Sequence, residues 1–341
     1  MGGPTREVAA ARGAVRTALS HYSAGAPVLV ALSGGSDSTA LAAATLFVAR
    51  HAGLVPVCLT VDHGLRPESA REAAAVAAWA RQAGFEARVT RVDASGTGEG
   101  PEAAARRARY AALATAARSL PFRGVPAPVL LAHTADDQAE TVLLGLGRGS
   151  GARSLAGMAP TGPLPYAPDV TALRPFLSIR KADLRAALRA KRIPWVEDPT
   201  NSPDSEWRAK DGSLLTRSAI RHGALPALER ALGPGTVPAL VRTARLLRRD
   251  ADALDARAEE LAARFEREVP VSDVVTLPEA LRTRVFRRLA IRYGVRAGEL
   301  GSVHLEALDT LACGANGRAR VDLPGLAVYR EGGTLRFGEG N

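Results

Sequence analysis

An apolar run, Pro27–Leu32, leads directly into six small or polar residues and then into an alanine-rich run, Thr39–Leu46. The first run predicts a buried parallel strand and the second a helix. Glycines in the turn between them let the backbone approach an anion closely, and a helix N-terminus offers free N–H groups. The order strand, turn, helix therefore predicts an α/β fold with a phosphate site. The turn consists of Ser33, Gly34, Gly35, Ser36, Asp37 and Ser38.

Asp37 is the unusual member of this turn, because a carboxylate repels phosphates unless a cation lies between them. It therefore suggests Mg²⁺ as a cofactor. The turn lacks the Gly-Lys-Ser/Thr of a Walker A loop. Instead it resembles the signature of the N-type ATP pyrophosphatases, the PP-loop superfamily, which cleave ATP between the α and β phosphates. The alternative is a turn that only caps a helix.

Strand-like and helix-like segments alternate from residue 27 to about 147. Further strands are expected at 55–61, 87–92 and 128–132, each followed by a helical stretch. This alternation predicts a doubly wound, Rossmann-like parallel sheet. Ligands bind beyond the carboxyl ends of such strands, where Ser33, Asp62 and His133 are all expected.

The rest of the chain suggests a second, smaller domain. Residues 145–170 are rich in glycine and proline and predict a loop, whereas 178–191 predicts a helix. The pattern is mainly helical from 225 to 311 and indicates short strands near 320–330. We expect a catalytic domain at 1–225 and a mainly α C-terminal domain at 226–341.

Composition limits the function. The chain of 341 residues has a net charge of +10, which suggests a polyanionic partner, and 46% hydrophobic residues, which suit a globular protein. Its two cysteines, Cys58 and Cys313, imply neither a disulfide framework nor a cysteine-rich metal site. No signal peptide or membrane span is evident, so we expect a cytoplasmic protein without membrane contact. The oligomeric state is not fixed, and a homodimer is compatible with the sequence.

A second polar cluster, Ala132–Thr141, lies where a strand gives way to a helix. Asp137 and Glu140 are three residues apart and share a helical face. Asp136 and Asp137 fall in the first helical turn, where the helix dipole favours carboxylates. The acids therefore either cap the helix or bind Mg²⁺ or a substrate ammonium. His133 either acts as an acid or base or completes the strand end.

The segment Gly145–Gly151 follows this cluster. It lacks the third glycine of a dinucleotide-binding fingerprint, and no strand leads into it. It is either a flexible loop or a loop that presents Arg148 to phosphate.

Together these motifs resemble the tRNA(Ile)-lysidine synthase family, over about residues 27–230. The matching segments, in order, are Ser33–Ser38, Val61–Arg66, Ala105–Tyr110, His133–Thr141, Glu197–Asn201 and, more weakly, Thr216–His222 with Leu225-Pro226. The first match marks only the superfamily, whereas Asp62–Arg66, Asp136–Thr141 and Asp198–Asn201 narrow it to the family.

The resemblance implies a two-step reaction on an isoleucine tRNA with a CAU anticodon. ATP adenylates O2 of the wobble cytosine, and the ε-amine of free L-lysine then attacks C2 and expels AMP. The resemblance implies catalytic roles for Asp37, Asp137 and Arg217. It implies nucleotide binding by Ser33–Ser38, Asp62 and His63, with Mg²⁺ on Asp37. It implies substrate binding by His133, Asp136, Asp137, Glu140 and Arg148.

The chain departs from the family pattern near the expected catalytic arginine. Ser218 stands where the family usually has Asn, and the stretch 202–215 is longer than usual. Arg217 is the best match to the family's arginine, with Arg208 and Arg148 as alternatives.

Arginines are dense in the second domain. Three recur at helical spacing (Arg242, Arg245 and Arg249), and six more cluster at Arg282, Arg284, Arg287, Arg288, Arg292 and Arg296. Such runs are either solvated helix faces or RNA phosphate contacts.

Three rival functions can be weighed. A sulfur-inserting tRNA enzyme of the same superfamily would need reactive or cluster-binding cysteines, and the chain has no Cys-x-x-Cys pair. A small-molecule adenylating amide ligase leaves the basic helical tail unexplained. A non-catalytic RNA-binding protein leaves the intact Ser/Gly/Asp turn unexplained.

Overall fold

The computed structural model describes residues 3–64, 68–93, 101–149, 151–197, 216–314 and 319–339, which form two compact units. The first unit runs to Gly145 and resumes over Gly157–Ala244. The second consists of Leu146–Ala156 and the chain from Arg245 onward. The expected domain boundary at 225/226 stays a prediction.

The helices and strands follow the chain in this order. The first half contains α1 (Arg6–Ala18), β1 (Pro27–Ala31), α2 (Ser36–Ala52), β2 (Val55–Asp62), α3 (Ser69–Ala83), β3 (Glu86–Arg91), α4 (Pro101–Arg118), β4 (Val129–Leu130), α5 (Ala135–Gly147), α6 (Gly151–Leu155), β5 (Thr161–Leu164) and β6 (Ala167–Leu173). Then come α7 (Lys181–Lys191), α8 (Thr216–Ala219), a π-helical segment (Ile220–Ala224), α9 (Leu225–Leu232) and α10 (Thr236–Ala262). The last part contains β7 (Glu268–Pro270), α11 (Val271–Val275), α12 (Glu279–Arg292), α13 (Ser302–Cys313), β8 (Ala319–Leu323), β9 (Leu326–Glu331) and β10 (Thr334–Glu339).

Six described strands form the sheet of the first unit in the order β3-β2-β1-β4-β6-β5. All neighbours are parallel except the edge pair β5 and β6. Strand β1 lies where the strand order reverses, since β2 flanks it on one side and β4 on the other. Ligands bind at such switch points, so the topology places a crevice between the ends of β1 and β4.

Helices cover both faces of this sheet. Val28 and Val30 of β1 are fully buried on the face that packs against α1, α2 and α7. Leu29, which points to the opposite face, is buried with Leu113 of α4. Burial on both faces explains why β1 is an unbroken apolar run. The predicted α/β doubly wound fold is confirmed.

The second unit packs helices against a small antiparallel sheet, β7-β10-β9-β8. Its core joins Phe286 and Leu289 of α12 to Val328 and Phe337 of the sheet. The predicted strands near 320–330 correspond to β8 and β9, and the sequence analysis missed β7 and β10.

The loop predicted over 145–170 is wrong, because this stretch contains α6, β5 and the start of β6. Strand β5 includes Gly162 and Pro163, two residues that weaken a strand signal. Proline is tolerated there because β5 is an edge strand and forms only by pairing with β6. Helix α1 was also missed; it buries Val8, Ala11 and Val15.

An internal ion pair stabilises the second unit. Arg282 on α12 donates to Asp309 on α13 from Nε (2.5 Å) and Nη2 (2.9 Å), and Nη1 donates to the Leu277 carbonyl at 2.8 Å. The side chains are only 11% and 20% exposed. Breaking such a pair leaves a poorly solvated charge without its counterion.

We expect Asp309→Asn to lower the free energy of unfolding by about 2 kcal/mol, since the pair is mostly but not fully buried. The measurement is chemical denaturation followed by circular dichroism. Asp322→Asn is the matched control, because Asp322 pairs with Arg320 while being 69% exposed, and its midpoint should not change. Equal effects of the two substitutions would contradict a stabilising role for burial of the Arg282 pair.

Candidate active site

The turn after β1 needs glycine at position 34 for two reasons. Gly34 has φ +84°, and a Cβ built on it would lie 2.5 Å from Cγ2 of Val76. Backbone bonds fix the turn, since Val196 N–H donates to the Gly34 carbonyl at 2.9 Å. Gly35 precedes the first residue of α2, so the helix N-terminus opens at the turn as predicted.

Serine hydroxyls tie the turn together. Ser38 Oγ accepts from Ser33 N–H at 3.1 Å and lies 3.0 Å from Ser33 Oγ. It also donates to the Gly35 carbonyl at 3.1 Å. The turn is therefore pre-formed, and the expected phosphate-binding residues of this segment lie together.

Asp37 lies in the first turn of α2, close to two charged side chains. Its Oδ2 is 3.4 Å from Lys181 Nζ. Burial raises the pKa of Asp37; Lys181 opposes this shift, and the neighbouring Asp137 charge adds to it. A cation beside Asp37 would thus relieve an unfavourable burial of charge.

The residues present fit Mg²⁺ held mainly by a nucleotide. Within the described ranges, no group of three or more His, Cys, Asp or Glu side chains could hold a metal ion. Mg²⁺ commonly takes one or two carboxylates and fills its remaining positions with phosphates and water. Asp37 at the phosphate turn fits that pattern.

Helix α7 brings two cations to the turn that the sequence analysis missed. Lys181 approaches Asp37, and Arg185, one helical turn later, donates to Ser36 Oγ at 3.5 Å and to Glu197 at 2.8 Å. The i, i+4 spacing places them on one face of α7. That spacing was the available signal, but only the tertiary packing shows that this face meets the turn.

Asp62 and His63 follow β2. Asp62 is buried and accepts from Gly64 N–H at 2.9 Å. A hydrogen bond from Ser69 lowers the pKa of Asp62, so this carboxylate anchors its own turn. Burial and the Arg109 charge lower the pKa of His63. Leu65 and Arg66 of this motif lie outside the described residues.

The start of α5 gives different tasks to two adjacent acids. Asp137 Oδ2 accepts from Thr134 N–H at 2.8 Å, and Asp137 N–H donates back to Thr134 Oγ1 at 3.3 Å, which is a capping box. Asp136 instead accepts from Lys181 N–H at 2.8 Å and from Arg180 Nε at 3.0 Å. Asp136 therefore caps α7. Asp137 caps α5 through its Oδ2 atom, and its Oδ1 atom takes no part in the capping box.

Glu140 lies one helical turn further on and is 1% exposed. Arg221 donates to both of its oxygens, from Nε at 2.6 Å and from Nη2 at 3.2 Å. The same Nη2 lies 3.6 Å from Asp137 Oδ1, and Arg217 Nη1 lies 3.7 Å from Glu140. Burial raises the pKa of Glu140, and Arg221 opposes that shift.

Arg221 is a further member of this charge cluster that the sequence analysis did not single out. It lies in the π-helical segment Ile220–Ala224, and such segments are frequent at functional sites. Its position four residues after Arg217 was the available signal. Arg208 and the segment Asp198–Asn201 lie outside the described residues.

His133 follows β4, and its surroundings favour the neutral imidazole. Burial lowers the pKa of His133 to about 4; the Asp137 charge opposes this, and Arg174, Arg109 and Arg106 add to it. Its buried Nδ1 has no hydrogen-bond partner within the described part of the chain. At neutral pH it can therefore orient a substrate group but does not carry a proton to donate as an imidazolium.

All six arginines of the cluster over 282–296 have partners within the second unit. Arg284 and Arg288 pair with Asp255 and Glu259, and Arg296 with Glu299. Arg287 donates to the carbonyls of Leu300 and Ala297, and Arg292 to those of Ala262 and Phe265. Arg282 is bound to Asp309, and the alternative that this cluster contacts RNA phosphates stays a prediction.

Other predicted RNA or phosphate contacts remain exposed. Helix α10 carries three exposed arginines, Arg242, Arg245 and Arg249. Arg242 belongs to the first unit and the other two to the second. Arg148 is also exposed and belongs to the second unit, so its predicted contact with substrate stays a prediction.

Two family models match the chain. A PP-loop domain matches residues 12–228, and a TilS substrate binding domain matches residues 270–336. Among solved structures, the U34-tRNA thiolase NcsA from Methanococcus maripaludis, with its [4Fe-4S] cluster, is similar with a TM-score of 0.55 at 18% identity. The likeness covers 71% of this chain and 80% of that one, and it shows a shared fold only.

Curated relatives match along nearly the whole chain. The tRNA(Ile)-lysidine synthase of Thermobifida fusca is 49% identical over 95% of both chains. The synthase of Salinispora tropica is 45% identical over 96% of this chain and 95% of its own. The synthase of Streptomyces coelicolor is 43% identical over 92% of this chain and 85% of its own. With the PP-loop match across more than half of its length, this chain belongs to the tRNA(Ile)-lysidine synthase family.

Proposed function

We propose that this chain converts the wobble cytidine of a CAU-anticodon isoleucine tRNA into lysidine, using ATP and free L-lysine. As a family member it is a C–N bond-forming ligase that binds ATP and acts on tRNA. The observation that carries the finer proposal is one charge cluster at the ends of β1 and β4. The Asp137 charge raises the pKa of Asp37 there, and Arg221 contacts Glu140 and Asp137.

In the first step, cytosine O2 attacks the α-phosphate and the bond to the β-phosphate oxygen breaks, releasing pyrophosphate. The turn Ser33–Ser38 and the N-terminus of α2 would hold the phosphates. Asp37 would hold Mg²⁺, which neutralises charge on the departing pyrophosphate. Lys181 and Arg185 add positive charge at the same turn. The target base must enter unstacked, as anticodon-loop bases readily do.

In the second step, the lysine ε-amine attacks C2 and the C2–O2 bond breaks, which releases AMP. We assign the substrate ammonium groups to Asp137 and Glu140, and one of these carboxylates would accept the proton that the amine loses. Arg217 would stabilise negative charge on the adenylate phosphate. His133 and His63, whose pKa values are both lowered by burial, would offer hydrogen-bonding groups to the base or the nucleotide.

A sulfur-inserting activity is disfavoured by the thiols themselves. Cys58 lies inside β2, and burial raises the pKa of its thiol to about 12, so the nucleophilic thiolate does not form there at neutral pH. Cys313 lies in the second unit. The sequence contains no Cys-x-x-Cys pair.

We place the enzyme in the cytoplasm, where tRNA, ATP and lysine meet, and a homodimer remains compatible with the sequence. None of the helices that the structure describes has the length and apolar character needed to cross a bilayer.

Mass spectrometry of the anticodon loop tests the function directly. Isoleucine tRNA with a CAU anticodon, incubated with the protein, ATP and isotope-labelled lysine, should gain the mass of lysine minus water at the wobble cytidine. A methionine tRNA with the same anticodon is the control and should stay unmodified. Lysine-independent turnover of ATP, or no labelled product, would contradict the proposal.

Asp37→Asn should reduce tRNA-dependent pyrophosphate release at least about 100-fold, because stabilisation of developing charge is among the largest catalytic effects. The variant should fold normally. Burial raises the pKa of Asp37 because the charged carboxylate is poorly solvated there, and the amide of asparagine carries no such charge. Asp183→Asn is the matched control, because Asp183 is an exposed acid in the first turn of α7. Unchanged pyrophosphate release by Asp37→Asn would exclude the metal-binding role.

The exposed arginines of α10 should contact tRNA phosphates. The double variant Arg245→Gln/Arg249→Gln should weaken tRNA binding and reduce the slope of log K against log salt by about one per lost contact. Arg6→Gln/Arg16→Gln on α1 removes the same charge from another exposed helix face and is the control. Filter binding over a salt series measures both, and equal slopes for both variants would contradict a specific face.

A further inference from the structure

The proposed ammonium subsite is already neutralised by the protein itself. Two carboxylates, Asp137 and Glu140, face two guanidiniums, Arg217 and Arg221, with separations of 2.6 to 3.7 Å. Charge balance within this group is complete. A lysine ammonium that entered would find no unpaired negative charge.

Arg221 also blocks the subsite physically. It engages both oxygens of Glu140, and that side chain is 1% exposed. A bidentate guanidinium–carboxylate pair is among the strongest charged contacts in proteins. An ammonium that takes the same edge of Glu140 therefore has to displace Arg221.

A phosphate is the group best suited to draw Arg221 away. Guanidinium groups bind phosphate with the same bidentate geometry as carboxylate. The Arg221 side chain is 34% exposed and so retains room to move. Arg221 Nη2 lies 3.6 Å from Asp137. The preceding residue, Asp136, accepts from Lys181 N–H, and Lys181 Nζ lies 3.4 Å from Asp37 of the phosphate turn. This chain of contacts joins the Arg221 guanidinium to the phosphate turn.

We propose that Arg221 is a positioning residue that couples the two substrate sites, filling the ammonium subsite until a nucleotide phosphate draws it away. This inference rests on the proposed function, because it takes Asp137 and Glu140 as the lysine-binding acids. It makes ATP and lysine binding mutually supportive, and such coupling is equal in both directions. It also delays lysine binding until the nucleotide is in place.

Calorimetric titration of L-lysine into the full-length protein tests the coupling. The titration is run with and without Mg²⁺ and α,β-methylene-ATP, whose α–β bond cannot be cleaved. In the wild type we expect lysine to bind at least about tenfold more tightly with the nucleotide, within the usual range of coupling between sites. Equal lysine affinities in the two states would overturn the proposal.

Arg221→Gln should bind lysine with similar affinity in both states, and more tightly than the wild type when nucleotide is absent. Arg221→Lys, which keeps the charge but loses bidentate geometry, should show reduced coupling and serves if the glutamine variant does not fold. Arg230→Gln on α9 is the matched control, because Arg230 is exposed, and it should keep full coupling. Full coupling in both Arg221 variants would overturn the proposal.

A second readout separates this inference from the proposed function. Incorporation of labelled lysine into tRNA is measured on the same wild-type preparation. Incorporation without coupled binding would overturn the role of Arg221 alone. Absence of incorporation together with absence of lysine binding would overturn both.

Discussion

The close approach of the turn after β1 to helix α3 is the constraint on which the rest of the site depends. A side chain at position 34 would collide with Val76, so the backbone there must be glycine in the left-handed region. Because the turn is held so closely, α2 starts directly beyond the sheet edge. Its first residues then face α7 and the end of β4, and that geometry brings Asp37 beside Lys181 and the α5 acids.

The sequence predicts those elements whose signals come from residues adjacent in the chain. The run Pro27–Leu32 and the turn after it carry their own signals of burial, turn and helix start, so β1 and α2 were predicted correctly. Strand β5 has no such signal, because Gly162 and Pro163 become strand only by pairing with β6. Arg221 and Glu140 are 81 residues apart in the chain. The spacing of residues within α5 or within the π-helical segment does not reveal that these two faces contact each other.

Arginine content shows the same limit in another form. The arginines over 282–296 were open to two interpretations, a solvated helix face or an RNA contact. In the structure these guanidiniums bind carboxylates and backbone carbonyls of their own unit. Arginine suits that task because its fork of donors satisfies several acceptors at once. Composition therefore gives the net charge of the chain. Tertiary packing determines which arginines pair within the protein and which stay available to bind a polyanion.

The cap that Asp136 places on α7 has a consequence for how the neighbouring acids are interpreted. Asp136 holds the N-terminus of the helix that carries Lys181 and Arg185, while Asp137, the next residue, faces Arg221. These two adjacent residues therefore serve different parts of the site. Asp136 supports the helix beside the phosphate turn, and Asp137 contacts the arginine of the proposed lysine subsite. Under the proposed function, loss of either carboxylate would lower the product yield, through the position of α7 for Asp136 and through the lysine subsite for Asp137. Turnover alone would not distinguish these two causes.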